Sequence, residues 1–322
     1  MNKNSFKGKI GNAIFNIREI GVIVPMIVFT IFFAVNNPNF ISGENIVNIM
    51  RNSSFVILSA VGMTFLLITG AFDLSVGAQI AFSGIITGLL LQSGIPVSLS
   101  ILAGIIVCML VGMVSGFCCV KIKIPPFITG IGMSYIVKGI VLIARAGAPV
   151  QPLPKQFNNI GQVMVFGKIP LVIVIAAVAA IIGHIILKYT VYGRKLFAVG
   201  GNPETSRLAG ISCSKIQFSA FVIVAFLTSM SGILTAARLT SAQPTAGSSF
   251  ELTVIAGCII GGTSLFGGAG SVLGSVLGAI FMSMLTNGMT LVKVSPYWQQ
   301  LVLGLIILLS VAFDRFRISR RV

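Results

Sequence analysis

Two acidic residues, Asp73 and Glu251, occur in apolar surroundings and in nearly the same local sequence, FDLSV at 72–76 and FELTV at 250–254. A carboxylate in such a place can bind a proton or a sodium ion. It can also accept hydrogen bonds from the free N–H groups at the start of a helix and complement the helix dipole. Because a carboxylate at the centre of a bilayer costs about 2.5–3.5 kcal/mol, we expect both residues at helix ends, near water.

The elements that hold these carboxylates must be membrane helices. The chain has 322 residues, of which 56% are hydrophobic and only 9% charged, and its mean hydropathy is +1.03. Soluble domains carry roughly 25% charged residues, so this chain cannot cover a water-facing surface. Its five cysteines form no C-x-x-C pair, which argues against a zinc site or a disulfide framework. The composition predicts an all-α polytopic membrane protein without a metal site.

The apolar segments predict about ten transmembrane helices, because a span needs about 20 mostly apolar residues. A glycine-rich stretch, GGTSLFGGAG at 261–270, interrupts the pattern between the eighth and ninth spans. The predicted spans lie near residues 18–35, 53–71, 74–92, 97–119, 126–144, 169–188, 216–237, 251–266, 271–287 and 297–313.

The distribution of lysine and arginine predicts that both termini are cytoplasmic. With that orientation most of the 22 basic residues fall on the inner side, as the positive-inside rule requires. The net charge of +16 therefore reflects the orientation of the chain in the membrane. We expect the inner basic residues to contact anionic lipid headgroups as well, and we expect no nucleic-acid binding. The resulting division is a cytoplasmic segment at 1–17, a membrane domain at 18–313 and a basic cytoplasmic tail at 314–322. The first helix is expected to stay uncleaved, since no cleavage site follows it.

The paired motifs also predict an internal repeat. FDLSV opens the third predicted span and FELTV the eighth, and two helices five spans apart run in opposite directions. We therefore expect two halves of inverted topology, spans 2–5 and 7–10, as in many transporters.

A glycine ladder follows the second motif. Gly270, Gly274 and Gly278 are spaced four residues apart and share one helix face, which lets a neighbouring helix come close in lipid. Packing within one subunit and packing between two subunits both remain open.

The longest inner connection, 189–215, contains a short helix signal. Asn202 is a good N-cap, Pro203 suits the first helical position, Glu204 lies in the first turn, and Gly210 is a natural terminator. A helix of about two turns outside the membrane is not stable alone, so it must rest on lipid, on the bundle or on a partner.

Three stretches resemble the permease subunits of bacterial ABC sugar importers, of the ribose, xylose and galactose type within the ribose and branched-chain amino-acid permease family. TGAFDLSVG resembles the family's T-G-G-I-D-L-S-V-G. GRKLFAVGGNPETSRLAGI resembles its G-x-x-x-x-A-x-G-x-N-x-x-A-A-x-x-x-G-I loop. ELTVIAGCIIGGTSLFGGAG resembles E-L-x-x-I-A-x-x-x-x-G-G-T-S-L-x-G-G-x-G. The departures are Ala71 for the second glycine and Thr205-Ser206 for the alanine pair.

The resemblance implies a type II ABC importer-like permease domain. By this likeness, two permease subunits, as a homodimer or heterodimer, form a pore in the bacterial inner membrane. Two cytoplasmic ATPase subunits bind below it, and an extracytoplasmic sugar-binding protein docks above. The inner connection would then be the coupling loop that fits the ATPase. Its implied coupling residues are Arg194, Gly200, Asn202, Pro203, Glu204, Arg207, Gly210 and Ile211.

The chain itself is expected to bind no cofactor and to be no enzyme. GGTSLFGG lacks the lysine of the phosphate-binding G-x-x-x-x-G-K-[ST] motif, so ATP-Mg would be bound and hydrolysed on the partner subunit. The solute would be a neutral sugar. The alternative is an ion-coupled secondary transporter that uses Asp73 and Glu251 as ion sites.

Overall fold

The computed structural model describes residues 20–165 and 167–319. The predicted segment at 1–17 and the last three residues of the basic tail lie outside the described residues. The described chain is almost entirely helical. Its α-helices are α1 (Ile20–Asn36), α2 (Gly43–Ile68), α3 (Val76–Gln92), α4 (Val97–Phe117), α5 (Pro126–Arg145), α6 (Lys155–Gln162), α7 (Leu171–Tyr189), α8 (Val191–Gly201), α9 (Pro203–Leu208), α10 (Cys213–Leu239), α11 (Phe250–Ile260), α12 (Val272–Leu291) and α13 (Pro296–Ser319).

Short irregular elements join these helices. A 3₁₀ turn at Pro38–Ile41 follows α1, and a π-helical turn at Cys118–Ile122 extends α4. Two antiparallel strands of two residues each, β1 (Met164–Val165) and β2 (Ile169–Pro170), lie between α6 and α7. Neither α6 nor this hairpin was predicted from the sequence.

Six of the described helices are long and apolar enough to cross a membrane: α2, α4 with its π turn, α5, α7, α10 and α12. Four shorter apolar helices, α1, α3, α11 and α13, coincide with the other four predicted spans. The prediction of a polytopic all-α membrane protein is therefore confirmed, whereas the count of ten spans stays a prediction.

Several predicted boundaries were wrong. Helix α2 begins ten residues before its predicted start at residue 53, because Ser42 caps it by accepting a hydrogen bond from Asn45 N at 3.3 Å. Helix α11 ends at Ile260 rather than 266, since Gly262 has a φ of +88°. The backbone of α13 continues to Ser319, so the start of the predicted tail is helical.

The long helices α2 and α10 form the centre of the bundle. They pack against each other. Helix α2 also packs against α7 and α12, and α10 packs against α3 and α4. Most residues of α2 and about half of those of α10 are buried. Helices α4, α5 and α7 instead expose many large apolar side chains, as expected for surfaces that face lipid. The element order of a long helix, an irregular segment and a short helix occurs twice, in α2–α3 and α10–α11. The inverted orientation of the two predicted halves stays a prediction.

The glycine ladder packs within the chain, against a second row of glycines. A Cβ atom on Gly274 would overlap the carbonyl oxygen of Gly261, and one on Gly278 would overlap that of Gly257. Gly257 lies on α11 and Gly261 directly follows this helix. Each helix thus contributes a pair of glycines spaced four residues apart, and the two pairs bring the backbones of α11 and α12 into contact. Gly270 instead lies against the side chains of Ile68 and Thr263.

We predict that Gly278→Ala lowers the thermal stability of the purified protein, by about 1–3 kcal/mol, because the added methyl must push α12 away from α11. Gly139→Ala on α5 is the matched control, since no atom lies within 4 Å of its added Cβ. That control should be neutral or slightly stabilising. Equal melting temperatures for the two variants would contradict the close packing of the two glycine rows.

Candidate functional site

Asp73 organises a buried network at the start of α3. Its Oδ1 accepts hydrogen bonds from Ser75 N at 2.8 Å and Ser75 Oγ at 2.7 Å, and its Oδ2 accepts one from Gln79 Nε2 at 3.1 Å. Gln79 Nε2 also donates to Ser75 Oγ at 2.8 Å. The network therefore ties the irregular segment 69–75 to the first turn of α3.

The expectation that Asp73 lies near water was wrong. Asp73, Ser75 and Gln79 all have 0% exposed surface. Three hydrogen-bond donors and the positive end of the α3 dipole offset part of the cost of burying this carboxylate. The carboxylate accepts a hydrogen bond from the backbone N–H of Ser75, the residue before the helix, and none from the free N–H groups of the first helical turn.

Glu251 contacts the same place from the other half of the chain. It lies in the first turn of α11, and its Oε2 would overlap a Cβ atom placed on Gly77. That oxygen is buried and has no hydrogen-bond partner among the described residues. A Cβ atom added to Gly77 would also lie only 2.5 Å from the carbonyl oxygen of Gly247. The two related motifs thus meet at their helix starts.

The starts of α3 and α11 point their partial positive charges at one region. Each helix start carries roughly +0.5 of an elementary charge, so two of them together repel each other. The carboxylates of Asp73 and Glu251 supply the compensating negative charge. This geometry supports the helix-end role that the sequence suggested for both acids.

Helix α9 follows α8, whose Gly200 lies against Gly268 in the turn after α11. Asn202 Oδ1 accepts hydrogen bonds from Glu204 N and Thr205 N, both at 3.0 Å, so the predicted cap is present. Gly210 has a φ of +79°, and Ile211 N donates to the Ser206 carbonyl at 2.9 Å, which ends the helix. Only Ser206 is buried in this helix.

The outer face of α9 has no cover from the described chain. Leu208 is 86% exposed, the highest exposure of any large apolar side chain among the described residues. Glu204 and Arg207 are exposed on the same helix, and Arg194 is exposed on α8. Pro203 is exposed as well. Helix α9 therefore presents an exposed face that carries one large apolar side chain and two charged ones.

Helix α8, which the sequence did not predict, anchors α9 to the bundle. A Cβ on Gly200 would overlap the carbonyl oxygen of Ile68 at the end of α2, and it would lie 2.6 Å from Gly268 N. Tyr192 Oη and Ser219 Oγ, 2.8 Å apart, join α8 to α10. Burial raises the pKa of the Tyr192 phenol, and this hydrogen bond lowers it in part. Gly200 is therefore a packing residue rather than part of the exposed face.

A cavity of about 490 Å³ lies at the far end of α10 from α9, and sequence reasoning missed it. We call it the polar cavity. It is lined by Asn52, Phe55, Val56, Ile80, Thr235, Arg238, Leu239, Gly247, Phe250, Thr253, Met282, Ser283, Thr286, Asn287 and Thr290.

One sequence signal could have located this cavity. Ser283, Thr286, Asn287 and Thr290 form a polar stripe at spacings of three and four in an otherwise apolar span. Arg238 directly follows the predicted span 216–237, so the sequence places it in a connection rather than in the wall of a cavity. The contribution of α2 and α10 could not be read from the sequence, because it depends on how distant helices pack.

A bundle of apolar membrane helices, in which the starts of two short helices meet, is the architecture of a multi-pass membrane transporter. The chain belongs to the family of branched-chain amino acid transport system permease components, whose family model matches residues 45–311.

Curated relatives match over nearly the whole chain. The chain is 35% identical over 297 residues to the ribose import permease protein RbsC of Haemophilus influenzae, covering 91% of this chain and 92% of the relative. It is 34% identical over 299 residues to the L-arabinose transport system permease protein AraH of Escherichia coli, covering 93% and 91%. The galactose/methyl galactoside import permease protein MglC of Haemophilus influenzae is 32% identical over 304 residues, covering 88% and 90%. No solved structure matches the chain.

We predict that Asp73→Asn destabilises the protein by about 1–3 kcal/mol, because one amide oxygen replaces two carboxylate oxygens that accept from three donors. The double variant Asp73→Asn/Gln79→Glu should recover a large part of this loss, since the carboxylate introduced at position 79 can accept from the new amide and from Ser75 Oγ. Thermal unfolding in detergent of both single variants and the double variant measures the coupling.

The control is Glu44→Gln, an exposed acid in the first turn of α2, which should change stability little. Strictly additive effects of the Asp73 and Gln79 substitutions would contradict the network. Loss of solute uptake by Asp73→Asn at unchanged stability would instead favour an ion site.

Proposed function

We propose that the chain is the permease subunit of an ABC importer that carries a neutral monosaccharide into the cell. The observation that carries this proposal is the similarity over about nine-tenths of the chain to import permeases for ribose, arabinose and galactose. The ion-coupled alternative loses support, because these relatives are import permeases of transport systems for sugars.

The partners follow from the proposed class. A second permease subunit completes the pathway, cytoplasmic ATPase subunits bind ATP-Mg and supply energy, and an extracytoplasmic binding protein delivers the sugar. The protein resides in the bacterial inner membrane with both termini in the cytoplasm. The basic inner segments of the sequence support this orientation.

Helix α9 is the ATPase docking element in this proposal. Its exposed leucine and flanking charges suit a groove on a partner, and its single buried residue does not stabilise it alone. The glycines in the coupling loop have a different role. Gly200 fastens the docking element to the bundle and Gly210 ends α9.

Helix α11 connects the docking element to the polar cavity. Its first residue, Phe250, and Thr253 line the cavity, while the turn that follows its end donates Gly268 N to Ile68 O at 2.9 Å, beside Gly200. An 11-residue helix is about 16 Å long and acts as a rigid rod. When ATP binding draws the ATPases together, displacement of α8 and α9 would pass through α11 to the cavity wall.

The proposed function is tested by reconstituting the permease in liposomes with an ATPase subunit and a binding protein encoded beside it. Uptake of labelled D-ribose, L-arabinose or D-galactose should require internal ATP and the binding protein. Accumulation driven by an ion gradient alone, without nucleotide or partner chains, would contradict the proposal.

We predict that Leu208→Ser, and separately Glu204→Ala/Arg207→Ala, leave the stability of the isolated permease unchanged, because these side chains bury little surface within the chain. Both variants should weaken co-purification of the ATPase. A leucine buried at an interface contributes about 1.5–3 kcal/mol, equivalent to roughly 10- to 150-fold in affinity.

Lys121→Ala is the matched control, since Lys121 is exposed and predicted on the same membrane face but lies outside α9. ATPase binding that is equal for the control and the α9 variants would rule out α9 as the docking element.

A further inference from the structure

One wall of the polar cavity presents hydrogen-bond donors. Arg238 Nη1 donates to Asn52 Oδ1 at 2.7 Å, and the guanidinium carbon lies 5.5 Å from the ring centroid of Phe55. These two contacts fix the orientation of the guanidinium. Because a guanidinium has five N–H donors in a planar fork, a single bond to Asn52 leaves donors that can reach a ligand in the cavity.

The wall formed by α12 presents hydrogen-bond acceptors. Thr286 Oγ1 donates to Met282 O at 3.1 Å, and Thr290 Oγ1 donates to Thr286 O at 2.9 Å. Each hydroxyl has therefore used its only proton within its own helix. The lone pairs of Thr286 Oγ1 remain available as acceptors, whereas Thr290 Oγ1 also accepts from Gln299 Nε2 at 3.5 Å and keeps one free position. The two residues are four apart, so both hydroxyls lie on the same helix face.

Aromatic rings complete the cavity. Phe55 lies on α2 beneath the Arg238 guanidinium, and Phe250 begins α11. Their apolar surfaces can pack against the C–H groups of a sugar ring, while the two polar walls can form hydrogen bonds with the hydroxyl groups of the sugar. The volume of about 490 Å³ is within the range of 300–1,000 Å³ typical of small-molecule sites.

We propose that the polar cavity binds the monosaccharide during translocation, with Arg238 donating to sugar hydroxyls and Thr286 accepting from them. A neutral polyol suits this arrangement because every hydroxyl both donates and accepts, whereas an anion would have no use for the acceptors on α12. This assignment rests on the proposed function and adds to it the residues that contact the solute.

The cavity would be a transient site that determines turnover. The binding protein captures the sugar from solution, so the KM of uptake reports the binding protein, whereas the maximal rate reports passage through the permease. Substitutions in the cavity should therefore change the maximal rate of sugar uptake and leave its KM unchanged.

The test compares Thr286→Val with Thr30→Val in the reconstituted complex. Thr30 Oγ1 also donates to a methionine carbonyl four residues earlier, Met26 O at 2.7 Å, but Thr30 lies on α1 outside the cavity. Thr286→Val should lower the maximal uptake rate about 3- to 10-fold, the effect of one neutral hydrogen bond, while Thr30→Val should not. Arg238→Gln should lower it more than about 10-fold, because its bonds are charge-assisted.

The measurements are uptake of labelled D-ribose, L-arabinose and D-galactose, together with co-purification of the ATPase, which neither threonine variant should affect. Equal uptake rates for Thr286→Val and Thr30→Val, with an active wild-type complex, would overturn the cavity assignment and leave the proposed function standing. A wild-type complex that imports no neutral monosaccharide would overturn the proposed function and the assignment with it. Preferential import of D-gluconate would overturn the assignment of a neutral polyol.

Discussion

The contact between the first turns of α3 and α11 is the constraint on which the rest of the structure depends. Gly77 and Gly247 lie against each other so closely that neither has room for a Cβ atom, and the φ of Gly247 is +80°. Irregular backbone at membrane depth is tolerated only where protein surrounds it. The buried Asp73 network satisfies the donors of Ser75 and Gln79, and the carboxylates of Asp73 and Glu251 offset two converging helix dipoles.

Close glycine packing continues from this contact to the inner face of the bundle. Gly257 and Gly261 hold α11 against α12, and the turn after α11 lies against Gly200 at the base of the docking element. Without a hydrophobic driving force between helices in lipid, such backbone contacts are a principal source of helix association. The same contacts make α11 a short, stiff element with one end at the polar cavity and the other at α8.

Local signals in the sequence predicted much of this arrangement. The Asn202 cap and the Gly210 terminator were correct because caps depend on a few adjacent residues. The break after α11 was also anticipated, from the glycines at 261–270. By contrast, the full burial of Asp73, the partner row of the glycine ladder and the polar cavity depend on how separate helices pack, which no local pattern encodes. The early start of α2 was missed because Arg51 and Asn52 interrupt the apolar run.

Gly77→Ala tests the central contact most directly. The added methyl would collide with Glu251 Oε2 and with the Gly247 carbonyl, and a backbone carbonyl cannot move aside as a flexible side chain can. Thermal unfolding of the purified protein should show a loss of about 1–3 kcal/mol relative to Gly132→Ala on α5, where the same methyl meets no atom within 4 Å. Identical melting curves for the two variants would contradict the account.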